Sequence, residues 1–247
     1  MLTLLKKTKR SLVALILPVV ISIASFATVS LQAEEDQVLR HAVFFKFKET
    51  SSKADVQRIV DTFAALPNKI DSIIDFEWGE RSNADKISGG FTHCFLLTFN
   101  DEAGREKYLP HPDHKAFGAQ LKPHLADVFV IDFWGRKADK APPRALRHAV
   151  FLSFNEDAKQ TDVDRALKVF AGLPDEIRTI KGFEWGTNNS PESHDDGFTH
   201  AFFVTFESQA DLDAYGPHAA HQALGKALRP IRQKVRVLDY WKVSWRR

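Results

Sequence analysis

Two short stretches concentrate side chains able to do chemistry near neutral pH. Tyr108-Leu109-Pro110-His111-Pro112-Asp113-His114-Lys115-Ala116-Phe117-Gly118 brings together one phenol and two imidazoles, and it returns 107 residues later as Tyr215-Gly216-Pro217-His218-Ala219-Ala220-His221-Gln222-Ala223-Leu224-Gly225. Tyr, Pro, both His and Gly are unchanged between the copies. An imidazole titrates near neutral pH and can take up a proton, while a nearby phenol can donate a hydrogen bond to a carbonyl oxygen. A general base with an electrophilic partner is the chemistry this suits, so His114 and Tyr108, with His221 and Tyr215, are the candidate catalytic residues. His111 directly precedes Pro112 and is better placed to cap a helix. A metal site would have to draw on His93, His111 and His114, but Pro112 disturbs the helical spacing, Asp113 is matched by Ala220, and no zinc-type HExxH occurs. No metal and no cofactor are expected. Neither a Gly-x-Ser-x-Gly elbow nor a phosphate-cradling glycine loop is present, which leaves nucleophilic and nucleotide chemistry without support.

The same offset aligns the rest of the chain without an insertion. Leu39-Arg40-His41-Ala42-Val43-Phe44 matches Leu146 to Phe151, Phe76-Glu77-Trp78-Gly79 matches Phe183 to Gly186, and Gly90-Phe91-Thr92-His93 matches Gly197 to His200. One domain of about 100 residues is duplicated, too long a unit for a stacked solenoid. The predicted boundaries are 38–137 and 146–244, with a Pro-rich, charged linker at 138–145. Within a repeat, His41–Phe47 has strand composition, and Val56, Ile59, Val60, Phe63 and Leu66 fall on one helix face ended by Pro67. Strands are predicted at 73–80, 92–99 and 128–134, and a helical segment interrupted by Pro110 and Pro112 over about 101–125. The order β-α-β-β-α-β is the ferredoxin-like plan of the α+β class. Both parities of the strands are apolar, so two such sheets are expected to pack face to face within the chain.

Alternation assigns sides. His41 shares a side with Val43 and Phe45, His93 with Phe95 and Leu97, and Asp132 with Val128, Val130 and Trp134. Each strand thus presents one ionisable group in an apolar row, where an unpartnered polar group costs about 1–3 kcal/mol. The expected pocket gathers His41, His93 and Asp132 with the helical motif, and Phe117 and Trp134 as walls. The second copy supplies His148, His200, Asp239, Leu224 and Trp241. For His41 and His93 a structural hydrogen bond competes with a pocket role, and Gly118 is expected to let its helix approach the sheet.

Residues 1–33 follow the secretory order of basic start, apolar run and small-residue end, ahead of Glu34-Glu35-Asp36. Cleavage and a secreted or periplasmic location are expected, with no membrane association afterwards. Four of the 34 basic residues lie in that segment, which leaves 30 against 32 acidic ones and a net charge of −2. A nucleic-acid partner is therefore not expected. The single cysteine, Cys94, can form no intramolecular disulfide and reads as a small apolar strand residue.

These ordered motifs resemble the stress-responsive α/β-barrel (Dabb) family: the Arg40-His41 start, Trp78-Gly79, Phe91-Thr92-His93, the Tyr108 to Gly118 motif and the closing Asp132-x-Trp134. The resemblance covers both copies. It implies ferredoxin-like units whose sheets pair into an α/β barrel, usually between two chains and here between the halves of one, with higher oligomers allowed. Its members include heat-stable stress proteins without an established reaction and a plant polyketide cyclase that closes a ring by an aldol-type step. By that resemblance His114 would be general base, Tyr108 would polarise a carbonyl, and Asp132 would orient the histidine; Tyr215 and His221 correspond in the second copy. Pro112 and Phe117 are replaced there by Ala219 and Leu224, which reshapes one pocket. The expectation is an exported tandem Dabb protein that binds a small, partly apolar molecule in His/Tyr pockets. A cofactor-independent lyase or cyclase and a non-catalytic structural stress protein are the alternatives.

Overall fold

A computed structural model describes residues 37–82, 86–136 and 144–245. The predicted export signal and most of the predicted linker lie outside the described residues. The first repeat runs β1 (Gln37–Phe47), α1 (Lys53–Ala64), β2 (Asp75–Glu80), β3 (His93–Phe99), α2 (Glu102–Tyr108), α3 (Pro112–Leu121) and β4 (Leu125–Arg136). The second runs β5 (Leu146–Phe154), α4 (Gln160–Ala171), α5 (Leu173–Glu176), β6 (Gly182–Thr187), β7 (His200–Phe206), α6 (Gln209–Tyr215), α7 (Ala219–Leu228), β8 (Arg232–Trp241) and a short β9 (Val243–Ser244). The antiparallel sheets are ordered β4-β1-β3-β2-β9 and β6-β7-β5-β8, the ferredoxin-like plan twice over.

Local chemistry explains the element ends. Ser52 and Asp55 exchange side-chain and amide hydrogen bonds in a capping box at the start of α1. The Ile59, Val60 and Phe63 face of that helix is buried. The interrupted helical segment resolves into α2 and α3, with Pro112 in the first turn of α3, where its missing N–H has no partner to lose.

The pleat sorts the apolar residues into layers. Leu39, Val43, Phe45 and Phe95 meet Phe63 and Phe117 under the helices. Ala42, Phe44, Cys94, Leu96 and Phe133 face the other way and meet Ala149, Phe151, Phe203 and Leu238 of the second sheet. The sheets thus pack face to face inside one chain, and Cys94 is a buried free thiol between them.

Where the sheet edges approach, the repeated Trp-Gly dipeptide has a steric role. A Cβ on Gly79 would stand 2.4 Å from the Trp241 carbonyl oxygen, and one on Gly186 2.9 Å from Cβ of Phe133. Reciprocal buried ion pairs also join the halves: Arg147 to Glu77 and Arg40 to Glu184, both at 2.8 Å. Finally β9 leaves the second repeat to pair with β2, and the Trp245 amide donates to the Phe76 carbonyl at 2.9 Å.

Candidate functional site

The helix break sets the geometry of the site. In a continuous helix the Leu109 carbonyl would accept from the amide of Asp113. That amide instead donates to Nδ1 of His111, the N-cap of α3, at 3.2 Å. The freed Leu109 carbonyl accepts from Nδ1 of His114 at 3.0 Å. A carbonyl can only accept, so Nδ1 carries the hydrogen and neutral His114 keeps its lone pair on Nε2. Burial pushes this imidazole below its ordinary value, against a smaller opposing effect of the Leu109 bond. His114 lies over the Tyr108 ring at 4.2 Å between centroids. Burial, reinforced by Glu192 and Asp132, drives the Tyr108 hydroxyl well above its usual range, so it remains a neutral donor.

On the sheet, His41 and Asp132 are direct cross-strand partners in the β1–β4 register. His41 Nδ1 donates to Asp132 Oδ1 at 2.7 Å, and Arg105 Nη1 donates to Asp132 Oδ2 at 2.8 Å. Burial alone would push His41 down, but the Asp132 carboxylate, by charge and hydrogen bond, carries it above its ordinary value. His41, Tyr108, His114, Phe117 and Gly118 line one cavity of about 380 Å³ between β1, β4 and the helices. A nitrogen suited to accept a proton and an imidazole suited to keep one therefore face the same space.

Two further residues of this cavity come from the other repeat. The β6–β7 loop crosses onto β4, where the Asn189 amide donates to the Asp132 carbonyl and the Val130 amide to the His194 carbonyl, each at 2.9 Å. It delivers Glu192 and His194 to the cavity wall. Oε2 of Glu192 is buried without a hydrogen-bond partner, 3.7 Å from Nε2 of His41. Sequence reasoning missed both residues. The one signal was the polar run Asn188 to Asp196, and nothing local in it indicates whose cavity it covers.

The second cavity, about 410 Å³, repeats the plan with His148, Tyr215, His221, Leu224 and Gly225. His148 Nδ1 donates to Asp239 at 2.6 Å, and His221 Nδ1 donates to the Gly216 carbonyl at 2.9 Å. Burial pushes His221 down and Tyr215 up. Leu212 replaces Arg105, and Ile87 stands where the first cavity has His194.

Several predicted pocket members lie elsewhere. No residue of β3 lines the first cavity, because β3 flanks β1 on the side away from β4. His93 instead bonds the Thr92 hydroxyl at 2.9 Å and turns its edge to Phe47; His200 does the same with Thr199 and Phe154. Trp134 sits opposite Leu39, beyond the His41–Asp132 pair, and is 37% exposed. Trp241 lies under the Arg144 guanidinium at 4.5 Å, also outside a cavity. Asp132 and Asp239 stand behind His41 and His148 rather than on the walls, and Asp132 orients His41, not His114. Gly118 and Gly225 do not serve close packing: a Cβ on either would meet nothing within 4 Å. Their missing side chains keep the cavities open. Among the described residues no group of three His, Cys, Asp or Glu is placed to hold a metal ion, and no helix is long and apolar enough to cross a membrane.

A profile of the stress responsive A/B barrel domain matches residues 39–135 and again 146–242. The chain belongs to the Dabb family. Its relatives include the stress-response A/B barrel domain-containing protein At5g22580 of Arabidopsis thaliana, 39% identical over 38% of this chain and 84% of that protein. Olivetolic acid cyclase of Cannabis sativa is 28% identical over 39% of this chain and 95% of its own length. Each of these spans about one Dabb repeat. Both repeats together superpose on a solved anthrone oxidase-like protein with a TM-score of 0.58 at 12% identity, covering 85% of this chain and 93% of that one, a likeness of fold alone.

Proposed function

We propose that this tandem Dabb protein binds a small, partly apolar carbonyl compound in its first cavity and carries out cofactor-independent acid–base chemistry on it, of the lyase or cyclase type. The observation that carries this reading is the Leu109 carbonyl bond to His114, which leaves Nε2 as the basic nitrogen in a cavity shared with His41. Among the described residues that Nε2 has no hydrogen-bond partner, and the cavity is not filled by side chains, which argues against a purely structural role. The resemblance to olivetolic acid cyclase lends support to ring closure.

In the proposed reaction, His114 Nε2 takes a proton from the carbon beside a carbonyl. The Tyr108 hydroxyl and the His41 imidazolium meet the charge developing on the enolate oxygen. The enolate carbon then bonds to a second carbonyl of the same molecule, whose oxygen takes the proton back. Run in reverse, the same steps cleave a carbon–carbon bond. Export to the periplasm or medium is part of the proposal, supported by the order of basic, apolar and small residues over 1–33.

The test begins with mass spectrometry of small molecules retained through native purification, comparing wild type with Gly118→Leu, whose new side chain would fill the first cavity. A carbonyl compound present only in wild type is expected. His114→Ala should then slow its conversion by about 10²–10⁴-fold. Equal retention by both proteins, or unchanged turnover in His114→Ala, would overturn the reading. Terminal sequencing of the mature protein should begin at Glu34; an intact Met1 would remove export by cleavage.

A further inference from the structure

The two cavities share a plan but differ in the described residues that line them. At the wall, Ile87 stands in the second for His194 of the first; at the mouth, Arg232 stands for Leu125. Glu192 brings a carboxylate to the first cavity, whereas no acidic side chain among the described residues lines the second. Its body is apolar, from Val150, Leu152, Phe170 and Val237. Polar groups occupy its two ends. Arg232, the first residue of β8, is exposed at one. At the other lies Tyr215, only 2% exposed, whose hydroxyl has no hydrogen-bond partner. A ligand oxygen there would offset the cost of leaving that hydroxyl unpaired.

The register sets the length of what fits. Arg232 pairs with Phe154, six residues along β5 from His148, whose ring is 5.6 Å from that of Tyr215. Six strand residues span about 20 Å, and an arginine reaching inward takes up about 6 Å of it, leaving about 14 Å.

We propose that the second cavity binds an oxygenated medium-chain carboxylate, its carboxylate on the Arg232 guanidinium, its chain along the apolar wall and its far oxygen on the Tyr215 hydroxyl. The site does not depend on the reaction assigned to the first cavity. Calorimetric titration of the full chain with 10-hydroxydecanoate, decanoate and decan-1-ol tests it. The hydroxy acid should bind tightest, at one equivalent. Arg232→Gln, a change on an exposed side chain, should weaken both carboxylates by about fivefold, the upper range for an exposed ion pair, and leave the alcohol unchanged. Tyr215→Phe should erase the preference for the hydroxy acid over decanoate. Gly225→Leu should abolish binding, and Gly118→Leu should retain it. The proposal is overturned if no carboxylate binds, if decan-1-ol binds wild type as tightly as decanoate, if Arg232→Gln changes nothing, or if binding survives Gly225→Leu.

Discussion

Replacing Asp132 by Asn isolates the electrostatic device behind the first cavity. Asp132 is fully buried and accepts two charge-assisted bonds, from His41 at 2.7 Å and from Arg105 at 2.8 Å. An amide accepts from only one of them and turns an N–H toward the other, while the Arg105 charge stays buried without its counter-ion. Charge-assisted bonds contribute about 1.5–3 kcal/mol each, and removing one partner of a buried pair costs about 3–5 kcal/mol. Asp132→Asn should therefore lower stability by about 3–5 kcal/mol, a fall in Tm of about 6–20 °C for a chain of this size. The pH dependence should change sign. His41 is raised in the wild type, so its contribution is fully present below the unfolded value and is lost as pH rises through the folded one. Without Asp132, desolvation dominates and depresses His41, so its contribution becomes a penalty that grows as pH falls. Urea unfolding of both proteins at several pH values, with an NMR titration of His41, checks this. Parallel pH slopes in the two proteins, or an unshifted His41 titration, would refute the reasoning.

Gly79→Ala and Gly186→Ala should each destabilise by about 1–3 kcal/mol, because the added Cβ collides across the sheet edges, whereas Gly118→Ala should gain up to about 1 kcal/mol of helix propensity; thermal melts distinguish them. Glu77 is the buried acceptor for Arg147 and Tyr240, and Arg147 and Lys242 outweigh burial to hold its carboxyl below the ordinary value. Its contribution is thus present above pH 4.5 and lost as pH falls through the folded value, so Glu77→Gln should cost about 3–5 kcal/mol near neutrality and flatten the acid side of the stability curve. Turnover dependent on His114 should rise with pH through a value below 6.5, since burial favours the neutral base, and fall again at a value above 6.5 as the His41 imidazolium loses its proton; a profile rising only above pH 8 would remove His114 as the base.

Legibility divided along physical lines. Helix faces, strand faces and proline breaks depend on residues a few positions apart, so α1, the interruption between α2 and α3, and the shared side of His41 and Asp132 were readable from spacing. The same alternation put His93 on the correct face but could not say that β3 lies beyond β1 from the cavity, because alternation carries no information about strand order. Trp134 failed for a related reason: its position along β4 relative to the helices depends on the β1–β4 register.

By itself, then, the sequence determined a duplicated β-α-β-β-α-β unit and a proline-interrupted helical motif that carries Tyr108, His111 and His114. Only the tertiary structure decided what completes each cavity. Packing two sheets about a pseudo-twofold carries the β6–β7 loop over the partner repeat, so Glu192 and His194 arrive from 151 and 153 residues beyond His41 on β1. Sequence periodicity cannot reveal such a meeting, because it records which face a residue takes on its own element and not which element lies across from it.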